Sequence, residues 1–268
     1  MFLVNESEMA VACDLATCVK VPNIEVRSAI DGFETQLRHI IMRGFYNKDD
    51  PFALGLLVMA ITSASETYFR TVIACTATAC PICHAGNVNK GRISFRAIDY
   101  YPKSMHVLAL LEHIGFSDSD AIRKQTQELL QITVPVSDKG SISIAAALQN
   151  YDRVCALRHA LIHSSGIINS QNSAEAGLQQ FSVIAPSIDG LQMVADVCRN
   201  AILAFNQFLF DSIVSRLYQK GHLTGTYNSD ERYMKIIVQL FLSRSSPSFT
   251  ESLEVVHSSI HAQYGPKV

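Results

Sequence analysis

Apolar residues in this chain recur at intervals of three and four, not two. Between Ile24 and Phe45 they fall at Val26, Ile30, Phe33, Leu37, Ile40 and Ile41, the stripe of an amphipathic helix. The tract Asn47-Lys48-Asp49-Asp50-Pro51 breaks that stripe. Asp50 suits an N-cap, and Pro51 suits the first position of a new helix. That helix is predicted to run to Cys75, and because it is apolar nearly all round it belongs at the centre of the fold. Its most apolar run, Phe52 to Ile61, is too short by itself to span a bilayer.

Further along, Cys80 to Gly91 reads as a loop, and Met105 to Ile114 as a short helix stopped by Gly115. Ser117 to Leu130 begins with a cap-like Ser-Asp-Ser-Asp run. After a break at Val134 to Ser141, a long helix covers Ile142 to His163 and stops on Ser164-Ser165-Gly166. Asn169 to Gln180 is polar and reads as loop, and Phe181 to Ala185 as a short strand. A second long helix is predicted over Ser187 to Tyr218, then a link from Lys220 to Asp230, then helices at Glu231 to Leu242 and Phe249 to His261. No set of alternating strands appears. The pattern predicts one all-α domain, a bundle of four longer helices with an inserted middle section (about 80–139) and a helical C-terminal extension (about 222–268).

Composition changes this picture in two ways. Charged residues make up 17% of the 268 and hydrophobic ones 48%, against a usual charged share of about a quarter. A surface so poor in charge suggests that a partner covers part of it, and a homodimer is the commonest such arrangement. The formal net charge is −2, so no basic excess advertises nucleic acid, and any such contact has to be local. The seven cysteines are odd in number and scattered, which fits free thiols in a reducing cytosol. The opening MFLVNESEMAVACD has Glu6 and Glu8 and no basic region, unlike a signal peptide. The expectation is a cytoplasmic protein without a membrane partner.

The chemistry concentrates in LRHALIHSSGIIN, Leu157 to Asn169. Asp152, Ala156, His159 and His163 follow a 4-3-4 spacing and therefore share one helix face. Leu148, Tyr151, Val154, Cys155, Leu161 and Ile162 form the apolar side. Both histidines then point away from the core, and Ala156 between them leaves room for another helix. Arg158 lies five residues before His163, roughly 140° around the helix, so one straight helix cannot aim both at one atom. Arg158 either pairs with a carboxylate beside solvated histidines, or converges with His163 through its long side chain, a loosened final turn or a second subunit.

The order Arg158, polar His159 and, after four intervening residues, His163 resembles the signature of the HEPN superfamily. The following Gly166-Ile167-Ile168-Asn169 is similar to the Gly-hydrophobic-hydrophobic-Asp/Asn tail of its members. Ser63 to Ile73, with Glu66, Phe69 and Arg70, is similar to their second helix. The resemblance covers Ile24 to Tyr218. Asparagine is the commoner polar residue at the place of His159. The resemblance implies a metal-independent endoribonuclease, without a cofactor, whose two motifs face each other across a homodimer cleft. It further implies a bacterial toxin or defence effector, held by a cognate antitoxin or regulatory protein. In that chemistry histidine, titrating near neutrality, serves proton removal from a ribose 2′-OH and proton delivery to the leaving 5′-oxygen. Arginine holds the non-bridging phosphate oxygens.

Other groups are less decided. Cys75, Cys80, Cys83 and His84 contain one CxxC, but zinc sites usually need two separated pairs, so the expectation is reduced, metal-free thiols. Glu66 and Arg70 are either an intrahelical i,i+4 pair or supports that reach Arg158 or RNA; Asp152, on the motif stripe, is a further supporting candidate. Lys90, Arg92, Arg96 and Lys103 interleave with Phe95, Tyr100 and Tyr101. That segment is either a solvated loop or an RNA contact made by stacking and phosphate pairing through Arg92, Arg96, Tyr100 and Tyr101. No Walker loop, GxSxG elbow or HExxH is present. Against the nuclease stand a non-catalytic interaction module and a nucleotide-binding helical domain.

Overall fold

The computed structural model describes residues 15–19, 28–87, 99–100, 106–137, 144–243 and 252–266. Among them the chain is all-α, with one isolated β-bridge and no strand. Helix α1 spans Ala29–Tyr46. It starts where Ser28 Oγ accepts the Asp31 N–H at 3.2 Å; Ile24 and Val26, placed in this helix by the sequence pattern, lie outside the described residues. Helix α2, Pro51–Ala79, begins as expected, with Asp50 Oδ1 accepting from the N–H groups of Phe52 and Ala53 at 3.0 and 3.1 Å. It runs a turn past Cys75. Its length and composition would suffice to cross a bilayer. It is instead the middle of the bundle: Leu54, Val58, Ile61, Phe69 and Ile73 are buried.

Five further elements lead to the second half. They are α3 (Pro81–Asn87), α4 (His106–Leu110), α5 (Ser119–Leu130), α6 (Ile144–His163) and α7 (Ser170–Ala176). The long α8 (Ile188–Gln219) follows, then α9 (Tyr227–Phe241) and α10 (Leu253–Tyr264). Helices α1, α2, α6 and α8 pack together, with α2 touching all three others. Phe69 of α2 joins the layers. Its ring lies 5.4 Å from Tyr151 of α6 and 5.2 Å from Phe205 of α8. The middle section is not set apart, since α3, α4 and α5 all pack on α2 and bring Cys83, Leu111, Phe116, Ile122 and Leu130 into the same core.

Three expectations need correction. The segment after Cys80 is helical as far as Asn87, because Pro81 fits a first turn, where its missing N–H costs nothing. The polar stretch after Asn169 is also helical. Asn169 caps it, accepting the Asn172 N–H at 2.9 Å, and Gly177 ends it at φ 69°. Seven residues are too few to show an apolar stripe, yet Asn172 and Ala176 are buried. Phe181 to Ala185 makes only a single bridge, Ile167 to Val183, with Ile168 N–H donating to Ser182 O at 2.9 Å.

One buried carboxylate ties the two C-terminal helices to each other and to the link before them. Asp230, fully buried, accepts from the N–H groups of Thr224 and Gly225, both at 2.8 Å, and from Thr224 Oγ1 at 2.9 Å. His257 Nε2 of α10 lies 3.0 Å from it. Burial raises the Asp230 carboxyl, but the bonds from His257, Thr224 and Gly225 outweigh it and hold the group below the usual carboxylate range. Stability from a lowered carboxylate is complete above the ordinary carboxylate pKa and fades as pH falls through the lowered value. Asp230→Asn is expected to destabilise the chain by about 3 kcal/mol at pH 7, the scale of breaking a buried pair. The deficit should shrink in urea titrations as the buffer is taken below the ordinary carboxylate range; an equal deficit at every pH would refute the assignment.

Candidate functional site

The rotation of α6 decides what its polar residues face. Leu148, Tyr151, Val154 and Cys155 are buried against the core, as the stripe predicts. The Tyr151 hydroxyl donates to Phe116 O at 2.9 Å, which satisfies the one polar atom of that buried face. His159 and His163 are exposed, and their ring centroids lie 4.6 Å apart with planes tilted by 47°. The predicted face is therefore correct for the histidines and wrong for two neighbours. Ala156 is 2% exposed and not open as the stripe predicts, and α7 packs on the same helix. Ile162, assigned to the apolar side, is 45% exposed.

The end of α6 is built by the Gly-Ile-Ile-Asn tail. Ser165 and Gly166 take left-handed backbone at φ 51° and 81°, and the Gly166 N–H returns to Ala160 O at 3.0 Å. Ile168 is buried, and Asn169 caps α7. Each residue of the tail thus helps to reverse the chain, Ile167 through its N–H to Ser164 O at 2.9 Å, and α7 packs on α6. His163 stands where the helix ends, clear of that return.

Arg158 turns to the other side. Its side chain is 30% exposed and its Nη2 lies 3.7 Å from Oε1 of Glu66, which is 14% exposed. This is an ion pair without a hydrogen bond, and that Glu66 oxygen has no hydrogen-bond partner. Of the two readings of Glu66, reach across to Arg158 is the one present. Arg70 does neither of the things expected of it. It donates to Leu111 O at 3.3 Å and Ile114 O at 2.9 Å, with its guanidinium 5.6 Å from the centre of the Phe116 ring, and so anchors the segment after α4. Asp152 is a clamp: its Oδ1 accepts the Ser119 N–H at 2.6 Å and its Oδ2 the Ser119 hydroxyl at 2.7 Å. Burial raises the Asp152 carboxyl, and the two bonds from Ser119 counter this in part.

Arg158, His159 and Asp152 line one cleft of about 380 Å³ with Asp118, Asp120 and Glu175. His163 is not among its lining residues. The structure thus brings together Arg158, His159, Asp152 and Glu66, and sets His163 beside His159 at the rim. Asp118, Asp120 and Glu175 escape sequence reasoning; the Ser-Asp-Ser-Asp run reads only as a helix cap, and Glu175 lies in the stretch taken for loop. Tyr100 is exposed, while Arg92, Arg96 and Tyr101 lie outside the described residues. Among the described residues no three His, Cys, Asp or Glu side chains group as a metal site would require. No family model, curated protein or solved structure matches this chain.

The turn that carries the motif can be tested separately from chemistry. A Cβ on Gly166 would meet nothing closer than Ile184 O at 3.8 Å, so Gly166→Ala suffers from its backbone conformation and not from a clash. The expected cost is about 1–2 kcal/mol in chemical denaturation. A neutral result would mean that the turn does not hold its left-handed form.

Proposed function

We propose that this chain is a cytoplasmic endoribonuclease of HEPN type, acting without a metal ion as a homodimer. The observation that carries the reading is the pair of exposed imidazoles, His159 and His163, 4.6 Å apart at the rim of a cleft holding Arg158. One imidazole takes the proton from a ribose 2′-OH; that oxygen attacks the adjacent phosphorus, and the departing 5′-oxygen receives a proton from an imidazolium. Arg158 meets the charge that gathers on the phosphoryl oxygens. Because Arg158 and His163 diverge on one helix, a second copy supplies the missing partner across a two-fold axis. Exposed Ile162, next to His163 in the helix, with exposed Phe181 and Val183, is the apolar surface such an axis would cover. A toxin or defence role, restrained by an antitoxin or regulatory protein, goes with this reading.

A second reading has its own observation. The carboxylates of Asp118, Asp120, Asp152 and Glu175 surround the single guanidinium of Arg158 in the cleft, which disfavours a polyanion there. A non-catalytic interaction module would use the apolar rim alone.

Labelled RNA separates the two. His163→Ala and Arg158→Ala are each expected to lower cleavage by about 10²–10⁴-fold, with thermal melts to verify the fold, and His159→Ala to lower it less. Cutting should survive EDTA and leave 2′,3′-cyclic phosphate ends. Undiminished cutting by His163→Ala, or full dependence on magnesium, overturns the mechanism; no cutting of any RNA by any form puts the interaction module ahead.

The oligomeric state gives an independent check. Light scattering at micromolar concentration should report a dimer, and Ile162→Glu with Phe181→Glu should shift it to monomer. A monomeric wild type, or a dimer indifferent to both changes, would remove the composite site.

A further inference from the structure

Cys80-Pro81-Ile82-Cys83 joins α2 to α3. Cys80 ends α2 with extended backbone, φ −77° and ψ 117°, and its carbonyl accepts the His84 N–H at 2.9 Å. A residue so placed turns its side chain toward the residue three positions on, as in a capping box, and here that residue is Cys83. The Cys83 thiol and the N–H groups of Cys83 and Ile82 act on the Cys80 sulfur. The two cysteines are 2% and 1% exposed.

A guanidinium completes the arrangement. Arg216 of α8 places Nη1 3.8 Å from Cys83 Sγ, while Nη1 and Nη2 donate to Leu130 O and Gln131 O, both at 2.7 Å. Cys83 Sγ also lies 3.6 Å from Leu130 O. The bond from Cys83 brings the Cys80 thiol down to about 6 despite its burial, and Cys83 is driven up in return. Of the two sulfurs, Cys80 is therefore the more readily ionised. The other buried cysteines differ: burial pushes Cys198 up to about 12 and raises Cys155 as well, which leaves them inert thiols.

We propose that Cys80 and Cys83 are a redox-active dithiol that hydrogen peroxide closes to a reversible intrachain disulfide, with Cys80 reacting first and Cys83 resolving. The Cys80 sulfur attacks one peroxide oxygen; the O–O bond breaks, and the departing hydroxide takes a proton to become water. Cys80 is then a sulfenic acid. Cys83 gives up its proton and attacks that sulfur, the S–O bond breaks, and a second water leaves. Two thiols lose two electrons, and one peroxide becomes two waters. The burial of the pair favours a small uncharged oxidant over a bulky disulfide. Closure also removes the Cys83 proton, from a sulfur 3.6 Å from Leu130 O. That carbonyl ends α5, whose other end, Ser119, is held by Asp152 in the cleft, so the dithiol and the cleft lie at opposite ends of one helix.

The test uses the reduced full-length chain, exposed to hydrogen peroxide, quenched with N-ethylmaleimide under denaturing conditions and digested for mass spectrometry. The expected product is a fragment carrying both Cys80 and Cys83, unalkylated and lighter by two hydrogens, and dithiothreitol should restore alkylation. In Cys83→Ser, dimedone should label Cys80; in Cys80→Ser, Cys83 should stay a thiol. If either variant fails to fold, the wild-type fragment mass decides alone. Full alkylation of both cysteines after peroxide, sulfinic acid at Cys80 beside a free Cys83, or a bond from Cys80 to Cys75 or to a second chain would overturn the assignment.

Discussion

The contact on which the rest of the molecule depends is the aromatic junction at Phe69. Its ring meets Tyr68 of its own helix, Tyr151 of α6 and Phe205 of α8. Aromatic pairs favour tilted and edge-on geometries, so this node resists rotation of any helix about its axis. For α6 that matters most. With Tyr151 turned inward, His159 eight residues later lies about 80° around the helix and His163 about 120°. Both must then emerge on the flank, while Arg158 falls on the side toward α2, where Glu66 is. The disposition of the polar residues follows from burying one tyrosine, and the hydroxyl of that tyrosine pins Phe116 O and so the approach to α5.

The cleft arises because buried polar groups need partners. The first N–H groups of α5 require acceptors. Asp118 supplies one as the cap, bonding Ala121 N–H at 2.6 Å, and Asp152 supplies another from the motif helix through Ser119. Arg123 donates to the Ser119 hydroxyl at 2.6 Å, which in turn donates to Asp152, so a chain of three groups fixes the wall. The acidic character of the cleft is therefore largely a capping requirement. Asp118 and Asp152 are already engaged with N–H and hydroxyl donors.

Much of this was legible beforehand. The four long helices, the cap at Asp50 and the outward face of both histidines follow from spacing, because burial along a long helix is periodic and a cap is local. What escaped was short or distant. The seven-residue helices α3 and α7 show no period. Arg70 and Arg216 bond backbone carbonyls far along the chain, and no spacing rule connects a side chain to a carbonyl that the fold alone brings near. Glu66 sits between these cases. Its oddness on an apolar helix is visible in the sequence, but its partner is chosen by how α2 and α6 cross.

The separation of Arg158 and Glu66 bears on how the motif could act. At 3.7 Å the pair is longer than a charge-assisted hydrogen bond of about 2.7–2.9 Å. The guanidinium is thus oriented without being saturated. Glu66 Oε1 is buried and has no hydrogen-bond partner, so a phosphate that drew Arg158 away would leave that carboxylate unpaired, a cost that two bidentate bonds to the guanidinium have to exceed. A shorter, fully bonded pair at the same place would have to be broken before the arginine could move. Under the proposed function, His163, outside the cleft that His159 and Arg158 line, must be brought to the same phosphodiester by a second copy, since no single helix can aim Arg158 and His163 at one atom.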